Sequence, residues 1–149
     1  MKLKFMLLAI VSFTAFASDI GKFLSEEKIS SIQTRDIPSY EKSIEKSLKQ
    51  PVKLKVHWDS FKEVSRTGAE FLGSTLHSVT GETVTNKSPE FIKNMKDVKT
   101  IKFDHLSTKS EAVVFKGKDL GELVIQGDFN NFKWKDGKGF ASQLQSIMK

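Results

Sequence analysis

The sequence predicts an α+β domain, with an antiparallel sheet of four or five strands, a C-terminal meander, and helices on one face. Three observations point there. Short runs with a period of two recur between residues 52 and 134. Helical spacings of three and four occupy both ends and part of the middle. In the last third, glycine-bounded turns separate the strand-like runs too closely for helices to intervene.

The opening stretch reads as a targeting segment. Lys2 and Lys4 form a positive start, and the apolar run "FMLLAIVSF" follows. That run is shorter than the roughly 20 residues a bilayer span needs. Ala15 and Ala17 put small residues where signal peptidase reads. The expectation is a signal peptide over 1–17 and a single α+β domain over 18–149, exported to the periplasm or the exterior. No later apolar stretch has spanning length, so the mature chain is expected to have no transmembrane span.

Without Lys2 and Lys4, 22 basic residues face 18 acidic ones. This mild basic excess permits anionic partners without requiring them. The chain has no cysteine. Disulfides, thiol nucleophiles, cysteine zinc sites and a lipoprotein anchor are therefore ruled out.

The elements follow in order. Residues 18–50 form a helical segment. "SDIGKFLSEEKISSIQ" is its first helix, and "IPSYEKSIEKSLKQP" its second, with Ser39 as cap, Tyr40, Ile44 and Leu48 on one side, and Pro51 as stop. Two such helices can form a hairpin across the sheet.

Residues 52–135 hold the sheet with inserted helices. In "VKLKVHW", Val52, Leu54, Val56 and Trp58 share one face, and Lys53, Lys55, His57 and Asp59 the other. Val64, Gly68, Leu72, Leu76 and Val79 lie along one helical stripe, with Gly81 as stop and "TVTNK" as a loop. Ser88 and Pro89 start a helix that buries Phe91 and Met95.

"KTIKFDHL" alternates with Ile101, Phe103 and His105 on one face. "EAVVFKG" and "GELVIQGDF" form a hairpin. "FNNFKWKDG" extends the meander into a fifth short strand, with Phe132 and Trp134 on one face. Residues 138–149 form the last helix, burying Phe140, Leu144 and Ile147. The expected core is Leu54, Val56, Trp58, Leu72, Phe91, Ile101, Phe103, Val113, Phe115, Leu123, Ile125, Phe140 and Leu144.

Few residues suggest chemistry. His57 and Asp59 share a strand face and are the weak catalytic candidates, as base and orienting acid of an exported hydrolase. Ser60 points to the opposite face if the strand continues, and no G-x-S-x-G elbow accompanies any serine. His57, His77 and His105 match no metal-binding spacing, so no metal is expected. His105 sits on a core face beside Asp104. It is either a pH-sensitive group or a strand-end histidine bonded to a backbone carbonyl.

No glycine-rich loop opens a helix, and no cofactor is expected. Arginine occurs only at Arg35 and Arg66, which argues against nucleic-acid binding. The residues suited to a partner are Lys53, Lys55, Lys133, Trp134 and Lys135. The expected function is a small exported binding or accessory module. It would act on an envelope or secreted protein, or hold a small apolar ligand in a pocket lined by Phe and Trp. The alternatives are the hydrolase and a self-associating envelope protein that uses the Lys53–Lys55 strand.

Overall fold

The computed structural model describes residues 25–149. The expected signal segment, and the start of the first expected helix, lie outside these residues.

The two N-terminal helices are one continuous rod. Residues 25–31 are helical, a π turn covers Ile32–Asp36, and helix α1 (Ile37–Leu48) follows directly. The expected hairpin is thus replaced, and Ser39 caps nothing. Pro38 supplies the reason. It has no N–H for the carbonyl four residues back, and its ring crowds that carbonyl. The chain widens by one residue, and the Ile37 N–H reaches back to Ile32 O. Lys49, with φ of 59°, closes α1 in the left-handed conformation.

Strand β1 (Lys53–Val56) leads through a 3₁₀ turn (Trp58–Phe61) to α2 (Arg66–Thr85) and α3 (Pro89–Met95). Ser65 caps α2 by accepting from Gly68 N–H, and Ser88 caps α3 through Phe91 N–H. The helix runs through Gly81, the expected stop, to Thr85. Val79, Thr80 and Thr83 on its buried side hold it against the core.

Strands β2 (Thr100–His105), β3 (Val113–Lys116) and β4 (Glu122–Gly127) complete the sheet, and α4 (Phe140–Ile147) closes the chain. The strand order is β1-β2-β4-β3. The α+β class holds, but the sheet is mixed. β1 runs parallel to β2, and β2 parallel to β4. The antiparallel expectation holds for the β3–β4 pair alone. The meander fails because β4, not β3, lies beside β2. In place of a fifth strand, residues 132–135 make a single parallel bridge, Ala112 to Trp134, on the β3 edge.

One hydrophobic cluster joins the sheet to the helices. Leu54, Ile101, Phe103, Val114, Leu123 and Ile125 supply the sheet side, with Leu72, Leu76, Phe91, Met95, Phe140 and Leu144 from the helices. Two expected core residues face the other way. In β3, Val114 pairs with Ile125 and is buried, so Val113 and Phe115 point outward. Val56 and Trp58 are half-buried at the cluster's margin. Among the described residues, no helix is long and apolar enough to cross a membrane.

Candidate functional site

Three strands with parallel neighbours bring their C-terminal ends to the same edge of the sheet. On the face opposite the core, register aligns side chains in rows across the strands. Lys55, Lys102, Val124 and Phe115 form one row. Asp104, Gln126 and Val113 form the next. The His57 N–H donates to Phe103 O at 2.9 Å, which extends the β1–β2 pairing and sets His57 beside Asp104.

His57 Nδ1–H donates to Asp104 Oδ1 at 2.8 Å, and Gln126 Nε2 donates to Asp104 Oδ2 at 3.0 Å. Burial pushes the Asp104 carboxyl up. Hydrogen bonds from His57 and Gln126 outweigh that and hold it below the usual carboxylate range. The carboxylate stays ionised and fixes the ring of His57, whose side chain is 46% exposed.

Asp59 is not the partner of His57. It lies in the turn after β1 and pairs with Lys62 at 2.8 Å. That bond, and the lysine charge, hold its carboxyl below the ordinary value. The strand ends before Asp59, so the shared face expected of the two residues is lost. Ser60 donates its hydroxyl to His57 O at 2.7 Å and accepts from His105 N–H at 2.9 Å. Its oxygen thus splices β1 to β2.

His105 occupies the core face. Its side chain is 10% exposed, against the rings of Phe61 and Phe129. Its Nδ1 accepts from the Phe129 N–H at 3.0 Å. The partner is a backbone donor rather than the expected carbonyl, so the ring is held neutral with its proton on Nε2. Burial lowers its pKa more than Asp128 and Asp104 raise it. The third histidine, His77, lies tilted against Tyr40 with ring centroids 6.0 Å apart.

The residues expected to meet a partner lie at opposite edges of the sheet. Lys53 and Lys55 are on β1. Lys133, Trp134 and Lys135 run along β3, where Ala112 N–H donates to Lys133 O at 2.7 Å. Trp134 is half-buried against Phe132, with ring centroids 5.2 Å apart. Lys133 and Lys135 are exposed. The free edge of β1 is blunted: Glu41 accepts the Leu54 N–H at 2.9 Å and pairs with Lys53 at 3.0 Å.

The hollow that a Phe and a Trp line is not enclosed by sheet and helices. It measures about 480 Å³ and lies between residues 25–33 and the turn holding Trp58 and Phe61. His57, Asp59 and Asp104 line neither it nor three other surface hollows of about 270 to 500 Å³.

Sequence reasoning missed Asp104 as the partner of His57. The alternation in "TIKFDH" does place Asp104 with Lys102 on the polar face, but not which strand lies alongside. Gln126 was missed for the same reason. Comparison with protein-family models, curated proteins and solved structures finds no match to this chain.

Proposed function

We propose that the protein is an exported binding module that docks an acidic partner, an envelope or secreted protein, on the outer face of its sheet. One observation carries this reading. Parallel-paired strands are normally covered on both faces. Here every described helix contributes to the cluster on the core side, while the other face bears Val113 and Phe115 at one edge and Lys55 and Lys102 at the other, with Val124 buried between them.

Phe115 is 37% exposed, and two lysines side by side repel one another. An incoming carboxylate relieves that repulsion, and an apolar side chain covers the Val113–Phe115 strip. The reading is tested with a photo-crosslinking residue at Phe115 in the cells that make the protein. A discrete adduct, lost when Lys55→Glu and Lys102→Glu are combined, is the expected result. A dominant adduct from a helical-face position such as Gln145, with none from Phe115, refutes it.

A second reading, the exported hydrolase, is favoured by the His57–Asp104–Gln126 chain. A carboxylate that accepts the hydrogen bond of Nδ1–H leaves the Nε2 lone pair free to act as a base toward water. In this reading Asp104 takes the role first expected of Asp59. His57→Ala tests it through activity on simple ester and phosphoester substrates.

A further inference from the structure

Helix α3 has two unlike sides. Phe91 and Met95 are buried. Pro89, Ile92, Lys93 and Lys96 recur at the spacing of one helical stripe on the other side. Ile92 is 46% exposed, unusual for so apolar a residue on a polar stripe. Between this stripe and the end of α1 lies a hollow of about 500 Å³.

Its apolar surface comes from Leu48, Pro89 and Ile92, and its charge from Lys87, Lys93 and Lys96. No carboxylate lines it among the described residues. The hollow is braced from below. Gln50 Nε2 donates to Met95 O at 2.8 Å and to Val98 O at 3.2 Å, which ties the end of α3 to the chain after α1. Lys87 Nζ donates to Ser47 Oγ at 2.5 Å and is fixed at one wall.

We propose that this hollow binds an amphipathic anion, a single alkyl chain ending in a carboxylate. The chain lies on Leu48, Pro89 and Ile92, and the carboxylate meets Lys93 and Lys96. Both halves are needed. A small anion without a tail gains only exposed lysine contacts, which are weak in water. An uncharged or cationic chain covers the apolar wall but leaves the lysines without a counter-charge. The site lies among helices, away from the outer sheet face, and its occupancy is independent of what that face binds.

The test is a titration of the ¹⁵N-labelled protein with dodecanoate below its micelle concentration, followed by amide shifts. Saturable shifts centred on Ile92, Lys93 and Lys96 are expected, weakened about tenfold in a Lys93→Glu, Lys96→Glu double variant. Both lysines are exposed, so folding is undisturbed. A control pair, Lys133→Glu with Lys135→Glu, should bind as the parent does. Acetate and dodecyltrimethylammonium should each bind much more weakly. Equal affinity for the cationic chain, shifts centred elsewhere, binding unchanged in the double variant, or no binding at all overturns the proposal.

Discussion

Lowering the pH should loosen the turn after β4 before the carboxylates titrate, because of His105. Its Nδ1 accepts the Phe129 N–H at 3.0 Å. A proton on Nδ1 removes that acceptor and places charge among Phe61 and Phe129. Asp128 at 3.9 Å and Asp104 on the same strand attract the charge, but burial outweighs them, and the folded pKa lies below the ordinary 6.5. The unfolded chain therefore takes up this proton first.

Stability from His105 is complete above about pH 6.5 and is lost as pH falls toward the folded pKa, by up to about 1.4 kcal/mol per pH unit. The assay is urea unfolding at about pH 7.5 and about pH 5.5, read by tryptophan fluorescence, on the parent and on His105→Gln. A glutamine carbonyl can accept the same N–H but does not titrate. His57, His77 and all carboxylates are common to both proteins. The parent should lose more stability than the variant over that range, by no more than about 1.4 kcal/mol per pH unit below 6.5. Parallel losses would refute the reasoning.

Two further outcomes follow from single side chains. Glu82 on α2 accepts from Phe140 N–H at 3.2 Å and Ala141 N–H at 2.7 Å, capping α4 from another element. Glu82→Ala should cost about 1 to 3 kcal/mol by urea unfolding, and Glu82→Gln about half that. The last-helix amides should exchange faster in both. If the hydrolase reading is correct, His57→Ala and Asp104→Asn should each lower the rate by about a hundredfold or more, with little change in stability for the exposed His57. An unaltered rate in His57→Ala ends that reading.

The strands were legible where alternation was strict, and ambiguous where it was not. "KLKV" and "TIKF" allow one phase each, and the structure adopts it. Ala112 to Phe115 are four apolar residues in succession, so either phase buries two of them. Ala112 and Val114 go inward because Ala112 must meet the chain at Lys133 and Trp134, and because Val114 faces Ile125. Strand direction was less accessible. Helices α2 and α3 separate β1 from β2, and a connection of that length permits a parallel pair. The short link between β3 and β4 permits only an antiparallel one. Nothing in the alternation says that β2 passes over β3 to join β4. Ser39 misled in the opposite sense. It reads as the cap of a second helix, yet an extra residue in one turn lets the first helix continue past Pro38.

The site depended on information of a different kind. Side chains two apart on a strand are about 6.5 to 7 Å from each other, whereas neighbouring strands lie only about 4.8 Å apart. A polar side chain on a sheet therefore finds its closest partner across strands before it finds one along its own. His57 and Asp59 satisfied the lengthwise rule, but His57 and Asp104 satisfy the crosswise one. The choice between them requires knowing which strand is adjacent. The same alternation that joined His57 to Asp104 separated Asp104 from His105. Asp104 lies on the open face as an ionised acceptor for His57, and His105 lies in the core as a neutral acceptor. The imidazoles of His57 and His105, on neighbouring strands, thus meet opposite faces of the sheet. His57 donates its Nδ1–H to a carboxylate in water's reach, while a proton taken by His105 costs the turn its acceptor.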